Sequence, residues 1–170
     1  MSLRLSVNGL TVMKGKELTK FHEGERLTAY QDSRGFWTIG VGHLLIDPRN
    51  PKWRGATITQ EACDQLFELD WVKHITLIEK YVPWALAFDE VRRYVIVDMT
   101  YNLGVEPFDG DGFHDWPIFV RQLKANDWVA AASNMRSTLW ARQVKGRAQR
   151  LARMIETGNW PREAGVPEIS

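Results

Sequence analysis

One short stretch limits what this chain can become. Residues 27–30 and 36–41 are its two strand-like runs. They are joined by Asp32-Ser33-Arg34-Gly35, whose Asp and Gly positions fit a type I turn. Alternation along the second run puts Trp37, Ile39 and Val41 on one face and Phe36, Thr38 and Gly40 on the other. Nearly everything else reads as helix. Residues 10–22 form a first helix that Gly24 stops. A loop over 47–57 holds Pro48, Pro51 and Gly55, and Thr59 then N-caps a long helix reaching about residue 81, with Glu61 well placed in its first turn. Pro83 ends that helix. Further helices are predicted over 88–103, 117–125, 127–135, 138–144 and 147–157, closed by Gly158. The fold class is therefore α+β, mostly α. A small β-containing lobe (24–58) is joined by a long helix (59–81) to a larger helical lobe (10–22 and 82–160), with 1–9 and 161–170 as extensions. A cleft between two such lobes is the natural place for a ligand.

At 170 residues the chain has the length of one domain, which buries roughly 70% of its unfolded surface. The hydrophobic content of 44% supports a core without a covalent staple. A lone Cys63 excludes an intramolecular disulfide. It lies in an apolar run with Ala62, Leu66 and Phe67 and reads as a buried, inert thiol. A net charge of +1 gives no dominant basic face, so no nucleic-acid partner is expected. Residues 1–20 lack the apolar core of a signal peptide and are broken by Arg4, Asn8 and Gly9. No run approaches the roughly 18 apolar residues of a membrane span. These features predict a soluble chain, made in a cytoplasm, without stable membrane association. Eight tryptophans are many for this length and are compatible with a carbohydrate ligand, because aromatic rings stack on sugar faces.

Several chemistries fail on spacing. His22-Glu23 begins a His-Glu-x-x-His zinc motif, but position 26 is Arg. Histidines 22, 43, 74 and 114 have no ligand-like spacing, so no metal is expected, and nothing implies a cofactor. Gly40-Val41-Gly42 is too short for a phosphate fingerprint, and no serine has the flanking glycines of a nucleophile elbow. Glu23, Asp32 and Thr38 remain. Glu23 sits at the end of a helix, where the negative end of the dipole favours a protonated carboxyl, the form a general acid needs. Asp32, nine residues on, sits in a solvated turn and should stay ionised; Thr38, six further, can hold a water near it. Two carboxyl groups in unlike environments plus a water-holder are the working set of an inverting glycosidase. Ordinary propensities also place a Glu at a helix end, an Asp in a turn and a Thr in a strand, so spacing alone leaves both readings open.

The run from Glu23 to Leu45 narrows the choice. Glu, eight residues, Asp, five residues, Thr, then Ile39-Gly40-Val41-Gly42-His43 resembles the active-site segment of phage-type lysozymes of the T-even kind, glycoside hydrolase family 24. Residues 58–70 resemble that family's interlobe helix. Residues 89–104, with Arg92-Arg93 and Asn102-Leu103-Gly104, resemble its central buried helix. Thr138-Leu139-Trp140, Gly146-Arg147-Ala148-Gln149-Arg150 and Thr157-Gly158-Asn159-Trp160 resemble its C-terminal helices. The likeness covers the chain from about residue 13.

This resemblance implies a lysozyme-like fold and a muramidase of bacterial peptidoglycan. Glu23 would protonate the glycosidic oxygen, Asp32 would assist the attacking water and Thr38 would position it. The two carboxyl groups should lie about 6.5–9.5 Å apart, with inversion at the anomeric carbon. Leu44, Tyr101, Phe119 and Asn134 fall at sugar-contacting positions. At Phe119 the family has a small polar residue, and the preceding segment 105–117 is longer here. His43 and Asp70 match an ion pair, and Arg147 matches a position that contacts the catalytic Glu, where a cation would favour the ionised form. Arg147, Arg150 and Arg153 form either a basic stripe facing the anionic wall or an ordinary solvated helix face. The resemblance implies a monomeric endolysin acting at the end of infection, held in the host cytoplasm until a holin lets it reach the wall. Alternatives are a lytic transglycosylase, a virion-associated or secreted antibacterial muramidase, and an inactive wall-binding module.

Overall fold

Glycine decides where the first helix ends. In the computed structural model, which describes residues 9–109 and 116–162 and side chains from residue 14 onward, helix α1 spans Gly9–Glu23. Gly24 then adopts φ 72°, and its N–H donates to Lys20 O at 2.9 Å. A residue with a Cβ would be strained in that left-handed conformation. The segments 1–8 and 163–170, and His114 with the middle of segment 105–117, lie outside the described residues.

The described residues form two compact units, residues 16–73 and residues 9–15 with 74–109 and 116–162. The first holds an antiparallel sheet of order β1-β2-β3, made of Arg26–Gln31, Trp37–Gly40 and His43–Leu44. Strand β1 is one residue longer at each end than expected, and β2 is shorter. The two-residue β3 was not foreseen. The register pairs Tyr30 with Thr38 and Gln31 with Trp37, with a bulge between Arg26 and Tyr30. Thr38 in turn pairs with Leu44, and Ile39 with His43. The β2–β3 turn needs positive φ at Gly40 (63°) and Gly42 (72°). A Cβ on Gly40 would also come within 3.2 Å of Cys63 Sγ. That explains Gly-x-Gly as a tight turn rather than a phosphate loop.

All four residues of β2 are buried, so both of its faces are covered. Trp37, Ile39 and Ala29 form a small core with Leu45, Trp53, Ala56, Ile58 and Leu66. The loop after β3 contains a short 3-10 helix, Pro51–Trp53. It folds back so that Ala29 N donates to Ala56 O and Ile58 N to Leu27 O. Helix α2 follows as Gln60–Tyr81. Thr59 caps it as expected, accepting from Ala62 N at 3.1 Å. Lys20 on α1 meets Asp64 on α2 at 2.6 Å.

In the other unit, Pro83 ends α2 and opens a 3-10 turn, Pro83–Ala87. Helix α3, Glu90–Leu103, starts two residues later than expected because Asp89 is the N-cap and accepts from Arg92 N. Residues 94–100 of α3 are all buried, which makes it the central helix of its unit. The remaining helices are α4 (Pro117–Lys124), α5 (Trp128–Ser137), α6 (Leu139–Val144) and α7 (Gly146–Thr157). Asp127 and Thr138 cap α5 and α6 through their side chains. Helix α7 packs on α3, α5 and α6. Its C-terminal carbonyls at Ile155 and Glu156 accept from the Arg92 guanidinium, which also pairs with Asp89 and lies 4.3 Å from the Trp128 ring centre. No helix among the described residues is long and apolar enough to cross a membrane.

The most deeply buried charge is Asp98. Its Oδ1 accepts from Arg147 Nε at 2.8 Å, its backbone carbonyl accepts from Arg147 Nη2 at 2.9 Å, and its Oδ2 accepts from Tyr94 OH at 2.7 Å. Asp98 is 0% exposed and Arg147 6%. Such a pair adds little net stability, but removing one member strands the other's charge in the core. Asp98→Ala should therefore lower the unfolding free energy by about 3–5 kcal/mol, read as a fall in the urea midpoint.

Candidate active site

The expected catalytic residues are gathered in the sheet unit by three local devices. Glu23 is the last residue of α1, half-buried, placed there by the Gly24 stop. Asp32 follows β1 directly and opens the turn. Its carbonyl accepts from Gly35 N at 2.9 Å, as the type I reading requires, and its own N–H donates to Phe36 O. Thr38 sits mid-β2 at 5% exposure and donates its hydroxyl to Phe36 O at 3.2 Å. The Thr38 oxygen keeps the capacity to accept a hydrogen bond as well.

Cross-strand pairing aligns Tyr30, Thr38 and Leu44 in a row across the three strands. Paired residues share a face of a sheet, so Thr38 is flanked by a tyrosine and by the exposed Leu44. The Tyr30 hydroxyl is shifted up by burial, opposed by Arg26, and shifted further up by Glu23 and Asp32. Both carboxyl groups thus lie within electrostatic reach of one phenol. Arg26 stacks on the same ring at 4.4 Å.

The Asp32 carboxylate is densely coordinated. Its Oδ1 accepts from Arg34 N at 2.8 Å and Phe36 N at 2.9 Å. Its Oδ2 accepts from Arg34 Nε and Nη2, both at 3.1 Å. Partial burial acts to raise its pKa, but the two backbone donors and the Arg34 guanidinium outweigh that and hold it below the usual carboxylate range. Asp32 therefore stays ionised, as expected, though Arg34's share in this was not foreseen. The Arg34 guanidinium also lies 5.0 Å from the Phe36 ring centre, and that of Arg49 lies 5.1 Å from it.

His43 Nδ1 and Asp70 Oδ2 are 2.8 Å apart, which forms the anticipated pair and ties β3 to α2. Cys63 is fully buried; burial, then Glu25, push its thiol up, which disfavours the reactive thiolate.

The residues expected to touch sugar differ in environment. Leu44 is 48% exposed. Tyr101, on α3, is half-buried with its ring 4.7 Å from that of His74. Asn134, on α5, is half-buried, and its carbonyl accepts from Ser137 Oγ. Phe119 is 0% exposed and packs with Phe108 and Trp116, so its side chain presents no surface to a sugar. A large ring at a position where the resemblance expects a small polar group fills the core instead. Arg147 is likewise buried against Asp98 and cannot belong to an exposed basic stripe; Arg150 is half-buried and Arg153 exposed. Tyr30, Arg34 and Phe36 were not singled out from sequence. The signals that could have found Tyr30 and Phe36 are the strand pairing and the turn that set Thr38 beside one and Asp32 beside the other.

Comparison with known proteins places the chain in a family. The family model for phage lysozyme matches residues 20–156. The endolysin of Salmonella phage P22 is 32% identical over 145 residues, covering 84% of this chain and 87% of that protein. A probable T4-type lysozyme 1 of Dictyostelium discoideum is 27% identical over 164 residues, 84% and 94% of the two chains. The pre-baseplate central spike protein Gp5 of Enterobacteria phage T4 is 29% identical over 167 residues, which is 86% of this chain but 28% of that protein.

Two outcomes follow from the pairings. Asp70→Ala should cost about 1–3 kcal/mol of stability by stranding His43, read by thermal unfolding. For Asp32, the folded pKa is depressed, so its ionic stabilisation is present above the ordinary aspartate value of about 3.9 and is lost as pH falls through the lowered folded value. The stability gap between the parent protein and Asp32→Asn in urea should be widest near neutral pH and close in acid below that value.

Proposed function

The chain belongs to the phage lysozyme family, and on that premise we propose that it hydrolyses the β-1,4 bond between N-acetylmuramic acid and N-acetylglucosamine in peptidoglycan. Glu23 is the general acid that protonates the leaving oxygen. Asp32 receives the proton of the attacking water. Thr38 holds that water through its hydroxyl oxygen. Attack from the face opposite the leaving group inverts the anomeric carbon.

The observation that carries this reading is the coordination of Asp32. Two backbone N–H groups fix its orientation and keep it charged, while Thr38 pairs on the same hairpin with Tyr30, a phenol that feels the charges of both Glu23 and Asp32. An inactive wall-binding module has no need of a fixed, ionised carboxylate. A lytic transglycosylase needs the acid alone and makes an anhydro product, so the Asp32–Thr38 pair favours hydrolysis. Leu44, Tyr101 and Asn134 remain proposed sugar contacts; Phe119 does not.

The likeness to endolysins supports a role in host lysis, and access to the wall through a holin is part of this proposal. A second reading, a virion-borne muramidase, is favoured by the likeness to the phage T4 spike protein, and recovery of the chain in purified virions would distinguish it.

Chloroform-treated Gram-negative cells test the chemistry. The parent protein should clear them and release muropeptides with hydrated, inverted reducing ends. Glu23→Gln and Asp32→Asn should each slow clearing by about 100-fold or more. If Glu23→Gln clears cells as fast as the parent, the acid assignment is wrong, and anhydro products would replace hydrolysis with transglycosylation.

A further inference from the structure

A carboxylate offers about four lone-pair sites, and Asp32 has four donors from its own chain: Arg34 N and Phe36 N on Oδ1, Arg34 Nε and Nη2 on Oδ2. A base in this state has no free position for the proton of a water. The two backbone donors belong to the turn and cannot leave without opening it. The guanidinium can, because the Arg34 side chain is 70% exposed whereas that of Asp32 is 22% exposed.

A second cation stands beside the first. Arg34 and Arg49 both approach the Phe36 ring, at 5.0 and 5.1 Å. Among the described residues, Arg49 pairs with no carboxylate. Two guanidinium groups therefore share one aromatic support, and only one of them, Arg34, is held by a carboxylate. A second carboxylate arriving from solvent would meet the exposed Arg34 guanidinium, a planar fork suited to bidentate capture, with the Arg49 cation on the same aromatic ring. Peptidoglycan supplies carboxylates on its muramic acid peptide stems.

We propose that Arg34 is a displaceable cover on the Asp32 carboxylate, drawn off by a stem carboxylate of the substrate that Arg34 and Arg49 then hold. In the free protein the cover occupies Oδ2. When substrate binds, the guanidinium exchanges one carboxylate for another, and Oδ2 becomes free to accept from the water that Thr38 holds. Arg34 thereby couples recognition of an acidic peptide stem to exposure of the base. This inference rests on the assignment of Asp32 as the base.

The test compares native peptidoglycan with peptidoglycan whose carboxylates have been converted to methylamides by carbodiimide coupling. The parent protein should cleave the native wall about fivefold faster, the scale of one exposed charge contact. Arg34→Ala should lose this discrimination because it cleaves the methylamidated wall faster than the parent does. Arg49→Ala should reduce the discrimination by raising KM on the native wall, with kcat unchanged. Carbon-13 NMR of the Asp32 carboxyl provides a readout without turnover: adding a muramyl dipeptide to the parent should move the signal toward its position in Arg34→Ala. An unchanged rate ratio in Arg34→Ala overturns the proposal. So does a ratio that collapses only because the native-wall rate falls, since Arg34 would then bind substrate without covering the base. If Asp32→Asn cleaves both walls at the parent rate, the base assignment fails instead, a result separate from the NMR displacement.

Discussion

The Asp32 carboxylate closes the turn between β1 and β2, and the rest of the sheet unit takes its place from that closure. With Oδ1 bound to the N–H groups of Arg34 and Phe36, and with the main chain of Asp32 paired to Phe36 and Gly35, the hairpin has one register. That register puts Tyr30 against Thr38 and, through β3, Thr38 against Leu44. A slip of one residue would turn Thr38 to the opposite face and carry its hydroxyl away from the Asp32 side of the hairpin. The proposed base is thus also the residue that builds its own site.

The parts of the structure legible in the sequence are those fixed by local chemistry. Gly24 ends α1 because only a glycine takes φ 72° there without cost, and Thr59 caps α2 through a hydroxyl bond spanning three residues; Asp127 and Thr138, read as the first residues of their helices, are caps of the same kind. Strand β3 was not legible, since two residues carry no period, and it exists only because β2 offers it a partner. Burial of both faces of β2 was hidden for the same reason. Alternation tells which side chains share a face but not how many layers cover it.

The site was legible in outline and opaque in detail. Glu23, Asp32 and Thr38 are proposed from spacing together with resemblance, and all three lie in the sheet unit, Glu23 at the end of α1 and Asp32 and Thr38 on the β1–β2 hairpin. Arg34 escaped notice because an arginine in a turn is ordinary, and its pairing with Asp32 depends on the turn closing. Phe119 and Arg147 show the opposite limit. Position along a resemblance suggested sugar contact for Phe119, and the spacing of Arg147, Arg150 and Arg153 left a basic stripe open as one of two readings, yet Phe119 and Arg147 are both buried. Phe119 joins an aromatic cluster with Phe108 and Trp116, and Arg147 needs the buried Asp98 to neutralise it. Asp98 lies 49 residues from Arg147, so that burial is not a local property; Phe119 has Trp116 three residues before it, but its cluster is completed only by Phe108 from outside the helix.

The contrast between the two arginine–aspartate pairs bears on function. Asp98 and Arg147 are sealed from water, and separating them would expose a charge to the low-dielectric interior, at a cost of several kcal/mol. That pair can only be a fixed part of the helical unit. Asp32 and Arg34 lie at the surface, where Coulomb attraction is screened and holding a long side chain in one rotamer costs entropy, so an exposed pair is worth about 0–1 kcal/mol. A cover bound that weakly can be exchanged for another carboxylate within ordinary binding energies. The backbone donors on Oδ1, which belong to the closed turn, continue to hold Asp32 in place and ionised when the guanidinium departs. Orientation and occupancy of the carboxylate are therefore assigned to different groups, and only the second needs to change for a water to reach it.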